Sequence, residues 1–178
     1  MISLIELRGS EQENIEKICE YLRNQVIKDL THPKKLYFIR KVALKIVSKC
    51  PEKDYLCECR KLARWVNKYF RYVKDTHGIE IFISPYLLLK RALKDKSLAQ
   101  GDCETLSQLL AALTISIGHE AKLALVDTTG DGSYNHCIAL IKPRYHGWYY
   151  ADPSRFPYLT KTLPYPIYRI KKISIEVK

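Results

Sequence analysis

No stretch of this chain approaches the roughly 18 consecutive apolar residues that a bilayer-crossing helix needs, so membrane-spanning functions are set aside. The N-terminal "MISLIELRGSEQENIEK" turns acidic and polar too early for a signal peptide, which predicts a cytoplasmic protein. Internal repeats and low-complexity tracts are also missing, which argues against solenoids and flexible linkers. Acidic residues are few: 19 Asp and Glu against 30 Lys and Arg leave a net charge of +11. Such a surface attracts polyanions. The bases, however, are dispersed at helical spacing among apolar residues, as in "RKLARWVNKYFRYVK", and solvated helix faces account for them better than a nucleic-acid groove.

Paired Cys-x-x-Cys spacing is absent too. "CPEKDYLCEC" clusters Cys50, Cys57 and Cys59, but no fourth ligand accompanies them, so a zinc site is not expected. Without a secretory signal, all six cysteines are expected as free thiols. The loop "DTTGDGSYN" offers Asp127 and Asp131 but not the alternating acids and distal Glu of an EF-hand, so it reads as a glycine-rich hairpin turn.

What is present suffices for one domain with a core of its own: 178 residues, 47% hydrophobic and 28% charged. A short apolar start is compatible with a strand. Apolar residues then recur at three and four from Glu11 to about Leu30, again from Pro33 to Pro51, and from an Asp54 cap to about Lys74. The third of these helices is expected to bury Leu56, Leu62, Trp65, Val66, Tyr69 and Val73. "IEIFISPYLLLKRAL" reads as an extended piece and a short helix begun at Pro85. "GDCETLSQLLAALTISIG" reads as a central apolar helix turned off at Gly118. Beyond it, "AKLALVD", "YNHCIALIK", "GWYYAD", "IYRIKK" and "ISIEVK" read as strands separated by turns. The predicted class is α+β, a helical N-terminal half packed on a C-terminal antiparallel sheet.

Cys103 follows Asp102, a good N-cap, so its sulfur falls in a first helical turn, where unpaired amides and the helix dipole should lower a thiol's pKa. His136 lies in an alternating strand and Asp152 ends the next, joined by a hairpin at "KPRYHG". A base on a sheet can face a thiol on a helix packed against it, while an acid on the neighbouring strand orients the imidazole through its other nitrogen. Cys137, one residue beyond His136, alternates to the other face and reads as core.

"GDCETLSQLLAALTISIGHEAKLALV", "YNHCIALI" and "GWYYADPS" resemble the three core motifs of the transglutaminase-like superfamily of papain-like enzymes, and "DYLCECRKLARWVNKYFRYVKDTHGIEIFISPYLLL" resembles the segment before the cysteine in phage and bacterial members. The resemblance covers about 54 to 156, leaving residues 1 to 50 as a helical N-terminal extension of one 178-residue domain. It implies a papain-like fold, Cys103 as nucleophile, His136 as general base and then acid, and Asp152 as orienting acid. It implies acyl transfer at a peptide, isopeptide or glutamine amide of a protein or peptide substrate, with no cofactor; the cysteine spacing and the short apolar runs had already set aside a metal and a membrane. Hydrolysis is expected ahead of cross-linking, since the small chain leaves little material for an amine-acceptor site. Oligomeric state is left open.

Relatives add an oxyanion-stabilising side chain from the segment before the small helix, and "IEIFISPY" offers neither Gln nor Trp; Ser84 or a Tyr from elsewhere is the substitute. With the charge of +11, this motivates an alternative: a basic binding or assembly module of weak or no activity, on a nucleic acid or, for a phage-borne gene, a virion.

Overall fold

Helices fill the first half of the computed structural model, which describes residues 2–6, 10–75 and 79–177. Strand β1 (Ile2–Glu6) precedes α1 (Glu11–Thr31), whose start is a reciprocal capping box. The Ser10 amide donates to Glu13 Oε2 at 2.9 Å, and the Glu13 amide to Ser10 Oγ at 3.4 Å. Pro33 forces the preceding His32 into an extended conformation, which ends α1 and opens α2 (Pro33–Val47). Asp54 caps α3 (Tyr55–Tyr69) by accepting the Cys57 amide at 2.9 Å.

The third helix stops at Tyr69 rather than near Lys74. Phe70 is buried in extended conformation, and the chain continues as β2 (Arg71–Tyr72), which pairs with a segment 29 residues on. Val73 is therefore not on a helix face; it lies beyond β2 and is exposed. The ladder to a distant strand outweighed a local pattern that could have carried another turn of helix. After β3 (Ile79–Ile83), antiparallel to β1, come α4 (Pro85–Lys94) with proline in its first turn, a single 3-10 turn, and β4 (Gln100–Gly101), the parallel partner of β2.

The core is organised around α5 (Cys103–Ser116), where Leu106, Leu109, Leu110 and Leu113 are all fully buried. Truncating any of them to Ala removes on the order of 2–5 kcal/mol. Helices α1 and α2 share this core through Leu22, Val26, Ile39 and Ala43, and the Gln108 side-chain amide donates to the carbonyl of Leu22 at 2.8 Å. Gly118 ends α5 at φ 93°, a left-handed value that a side chain would oppose.

A five-stranded antiparallel sheet follows, in the order β8-β7-β6-β5-β9, from β5 (Glu120–Asp127), β6 (His136–Lys142), β7 (Tyr149–Ala151), β8 (Leu159–Thr160) and β9 (Arg169–Ser174). One face, with Leu123, Leu125, Cys137, Ala139 and Ile141, joins the core of α5. The other, with Ala124, Val126, Ile138 and Leu140, is covered by Trp148, Tyr150, Leu163 and Ile167. This double burial explains the nearly unbroken apolar run of β6. "IYRIKK" and "ISIEVK" contribute one strand rather than two, because β9 pairs continuously with the edge of β5 from Asp127↔Arg169 to Lys122↔Ser174. The α+β class, with helices first and an antiparallel sheet last, is as predicted.

The cysteines depart from expectation. Cys50 and Cys57 form a disulfide, while Cys19, Cys59, Cys103 and Cys137 are free. The turn after α2, with Lys53 left-handed at φ 62°, folds back onto the start of α3 and brings the two Cα atoms to 5.8 Å. No described helix is long and apolar enough to cross a membrane.

Candidate active site

The segment Gln100-Gly101-Asp102 feeds directly into α5. The Asp102 carboxylate accepts the Thr105 amide at 2.7 Å, which sets the first turn and puts Cys103 in it. Gly101 is required by space: a Cβ there would fall 2.7 Å from Cγ2 of Thr105. Cys103 is 7% exposed and its thiol donates to Oε2 of Glu104 at 2.9 Å. Burial, then the Glu104 carboxylate, push this thiol well above the ordinary cysteine range. The sequence expectation was the reverse. Desolvation of the anion, with carboxylates at positions 102 and 104, outweighs the field of the helix end, and the resting sulfur is protonated.

His136 opens β6 and Asp152 follows β7, so the hairpin places them together at one end of the sheet. His136 Nε2 lies 2.7 Å from Asp152 Oδ2, and both side chains are buried. Asp152 also accepts the hydroxyls of Ser154 (Oδ1) and Tyr165 (Oδ2), each at 2.6 Å, and has Arg155 Nε at 3.7 Å. Burial would raise this acid, but the hydrogen bond and charge of His136, with Ser154 and Tyr165, outweigh it and hold the carboxyl below its usual range. An ionised carboxylate only accepts, so Nε2 of His136 carries the hydrogen, and in the neutral imidazole the basic lone pair is on Nδ1.

The ring of Tyr165 stands edge-on to His136 with centroids 6.2 Å apart. Its phenol is pushed up by burial, then by Asp152, with a further contribution from Cys103. Phenol, carboxylate and imidazole thus form one cluster, while the Cys103 thiol is hydrogen-bonded to Glu104. Three members of it were not read from sequence. Ser154, two residues after Asp152, is a spacing at which a hydroxyl can reach back to a carboxylate, and could have been found. Arg155 and Tyr165 carry no such signal; Tyr165 arrives on an irregular segment between β8 and β9.

A second buried histidine shows what a structural one looks like here. His119 accepts the Arg144 amide at Nδ1 (3.2 Å), so Nε2 donates to Glu58 Oε2 at 2.8 Å, tying α3 to the sheet. Both ring nitrogens are engaged by the fold. Cys137 is fully buried in the core, as predicted. The Asp127 carboxylate accepts the amides of Thr129, Gly130 and Gly132, which makes "DTTGDGSYN" a capped turn. Among the described residues no group of three His, Cys, Asp or Glu side chains is placed to hold a metal ion.

An α+β fold with a cysteine at the start of a central helix and a His-Asp pair on an antiparallel sheet is the papain-like, transglutaminase-core arrangement. The family model described as the transglutaminase-like superfamily matches residues 40–153, well over half the chain, and the protein belongs to that superfamily. Among solved structures it is similar to EGTA-treated LapG of Legionella pneumophila: 16% identity, TM-score 0.53, 89% of this chain and 81% of that one. It is also similar to a candidate cysteine protease from Cytophaga hutchinsonii (15% identity, TM-score 0.50, 79% of this chain). A candidate protease from Parabacteroides distasonis gives 10% identity, a TM-score of 0.52 and 75% coverage of this chain. The chain spans 42% and 25% of the length of those two proteins, respectively. No curated protein sequence matches it.

Proposed function

We propose that this protein is a cysteine-type acyl-transfer enzyme acting on an amide of a protein or peptide, with Cys103, His136 and Asp152 as its triad and hydrolysis ahead of cross-linking. The observation that carries the reading is the buried His136–Asp152 pair. A buried carboxylate given three hydrogen-bond donors and the charge of Arg155, fixing one tautomer of a histidine, is more than packing requires. As substrate enters, the thiol leaves Glu104 and its proton passes to Nδ1 of His136 while sulfur bonds the carbonyl carbon. The imidazolium then protonates the leaving nitrogen as the C–N bond breaks, and water, activated by the same imidazole, hydrolyses the thioester. Water needs no built acceptor site, which favours hydrolysis.

The test is alkylation by iodoacetamide mapped by peptide mass, because Cys19 is only half-buried and supplies a background. Cys103 should be alkylated at neutral pH, more slowly in His136→Ala, and hydrolysis of casein should vanish in Cys103→Ala. Hydrolysis persisting in Cys103→Ala would overturn the assignment.

One observation favours a second reading, the basic binding module. A cavity of about 420 Å³ is lined by Arg60, Lys61, Arg64 and Tyr158, with Asp54 as its only acid among the described residues. Binding of single-stranded RNA that weakens steeply with salt and survives Cys103→Ala would support it; no binding at low salt would remove it.

A further inference from the structure

The oxyanion formed on an amide carbonyl needs two donors, and the first-turn amide of Cys103, which has no intrahelical acceptor, is one of them. Ser84, which the sequence offered as the second, sits elsewhere: it is buried at the start of α4 and lines a separate cavity with Tyr21, Gln25 and Asp29. Tyr165 is committed to Asp152.

We infer that the hydroxyl of Tyr72 is the second oxyanion donor, an assignment that rests on the reading of Cys103 as nucleophile. Strand β2 is clamped to β4, with the Arg71 amide donating to the Ala99 carbonyl at 2.9 Å and the Val73 amide to the Gly101 carbonyl at 3.0 Å. This register sets Tyr72 opposite Gly101, two residues before the sulfur. Paired residues on neighbouring strands project to the same face. A Cβ on Gly101 would point at Thr105, in the first turn of α5, so Tyr72 leaves the backbone on the face of that turn. The preceding pair faces the other way and is occupied by Arg71 Nη2 donating to Gln100 Oε1 at 2.7 Å.

Two further observations suit a donor that meets substrate. Tyr72 is 45% exposed, so its ring stands where a carbonyl arriving from solvent can reach it, and among the described residues its hydroxyl has no hydrogen-bond partner. Its phenol is pushed up by burial, then by the proximity of Cys103, Glu104 and Asp102, so it keeps its proton. When sulfur bonds the carbonyl carbon, the C=O π pair moves onto oxygen, which accepts the Tyr72 O–H and the Cys103 N–H. As the leaving group departs, the pair returns to the C–O bond and Tyr72 retains its proton.

Tyr72→Phe separates this role from thiol chemistry. Acylation by p-nitrophenyl acetate passes through a tetrahedral oxyanion, whereas alkylation by iodoacetamide does not. At Cys103, followed by nitrophenolate release and peptide mass, acylation should fall about 10- to 100-fold while alkylation stays within about twofold of the unaltered protein, which also reports an intact fold. An unchanged acylation rate, or an equal fall in both rates, overturns the assignment of Tyr72 alone. A Cys103 inert to both reagents in the unaltered protein overturns the nucleophile reading, and Tyr72 with it.

Discussion

The thiol of Cys103 donates to its chain neighbour Glu104, at 2.9 Å, and the pair makes the resting site a protonated one. A carboxylate accepting that proton favours the thiol over the thiolate, in the same direction as burial.

Replacing Glu104 by Gln removes the like charge and leaves a side chain of the same shape. The Cys103 thiol should become more acidic, and its alkylation at neutral pH faster. The pH dependence of iodoacetamide labelling at Cys103 measures both. An unshifted profile would mean that burial alone sets the thiol's acidity.

Asp152→Asn keeps the volume but supplies the imidazole with an amide that can donate as well as accept. Hydrolysis is expected to fall about 10²- to 10⁴-fold, as the orientation and tautomer of His136 are lost. The same change alters acid stability. Asp152 is lowered in the folded state, so its contribution is complete above its unfolded value, about 3.9, and is lost as pH falls through the folded value. Acid-unfolding curves of the variant should lack that increment and be flatter below about pH 4.

Gly101→Ala places a methyl 2.7 Å from Cγ2 and 3.0 Å from Cβ of Thr105, which is itself buried. We expect a loss of about 1–3 kcal/mol in urea unfolding and a displaced first turn of α5. Thr105→Ser removes the nearer atom, so the double variant should recover part of that loss. Strict additivity of the two changes would show that the contact is not the cause.

Breaking Cys50–Cys57, by Ser at both positions, should cost about 2–3 kcal/mol, the loop-closure value for a separation this short. In a chain of 178 residues that is a fall in Tm of about 5–10 °C. Alkylation at Cys103 should not change, because the bond joins the end of α2 to the start of α3. Equal melting of both forms under oxidising conditions would show that the bond contributes nothing to stability.

Periodicity made the helices around Val26, Ile39 and Leu109 legible, and capping made the starts at Asp54 and Asp102 legible, because those signals act within a few residues. The end of α3 was not legible. Whether Phe70 to Val73 continue as helix depends on Gln100 and Gly101, and a local pattern carries no information about a partner 29 residues away. The same limit applies to the cysteines: the pairing of Cys50 with Cys57 is decided by how the turn at Lys53 folds, not by composition.

What the sequence determined by itself was the class of fold, the helix that begins at Cys103, the strand that opens with His136 and the strand that Asp152 follows, because each depends on local spacing and on motifs a few residues long. The environment of those groups was decided only by tertiary structure. His119 and His136 are both buried, yet one is held by Glu58 and a backbone amide and the other by a carboxylate with two further hydroxyl donors and an arginine near it. The sulfur was expected to be acidic and is not, because desolvation and neighbouring charge grow with burial and proximity, which belong to the packed molecule rather than to any stretch of chain.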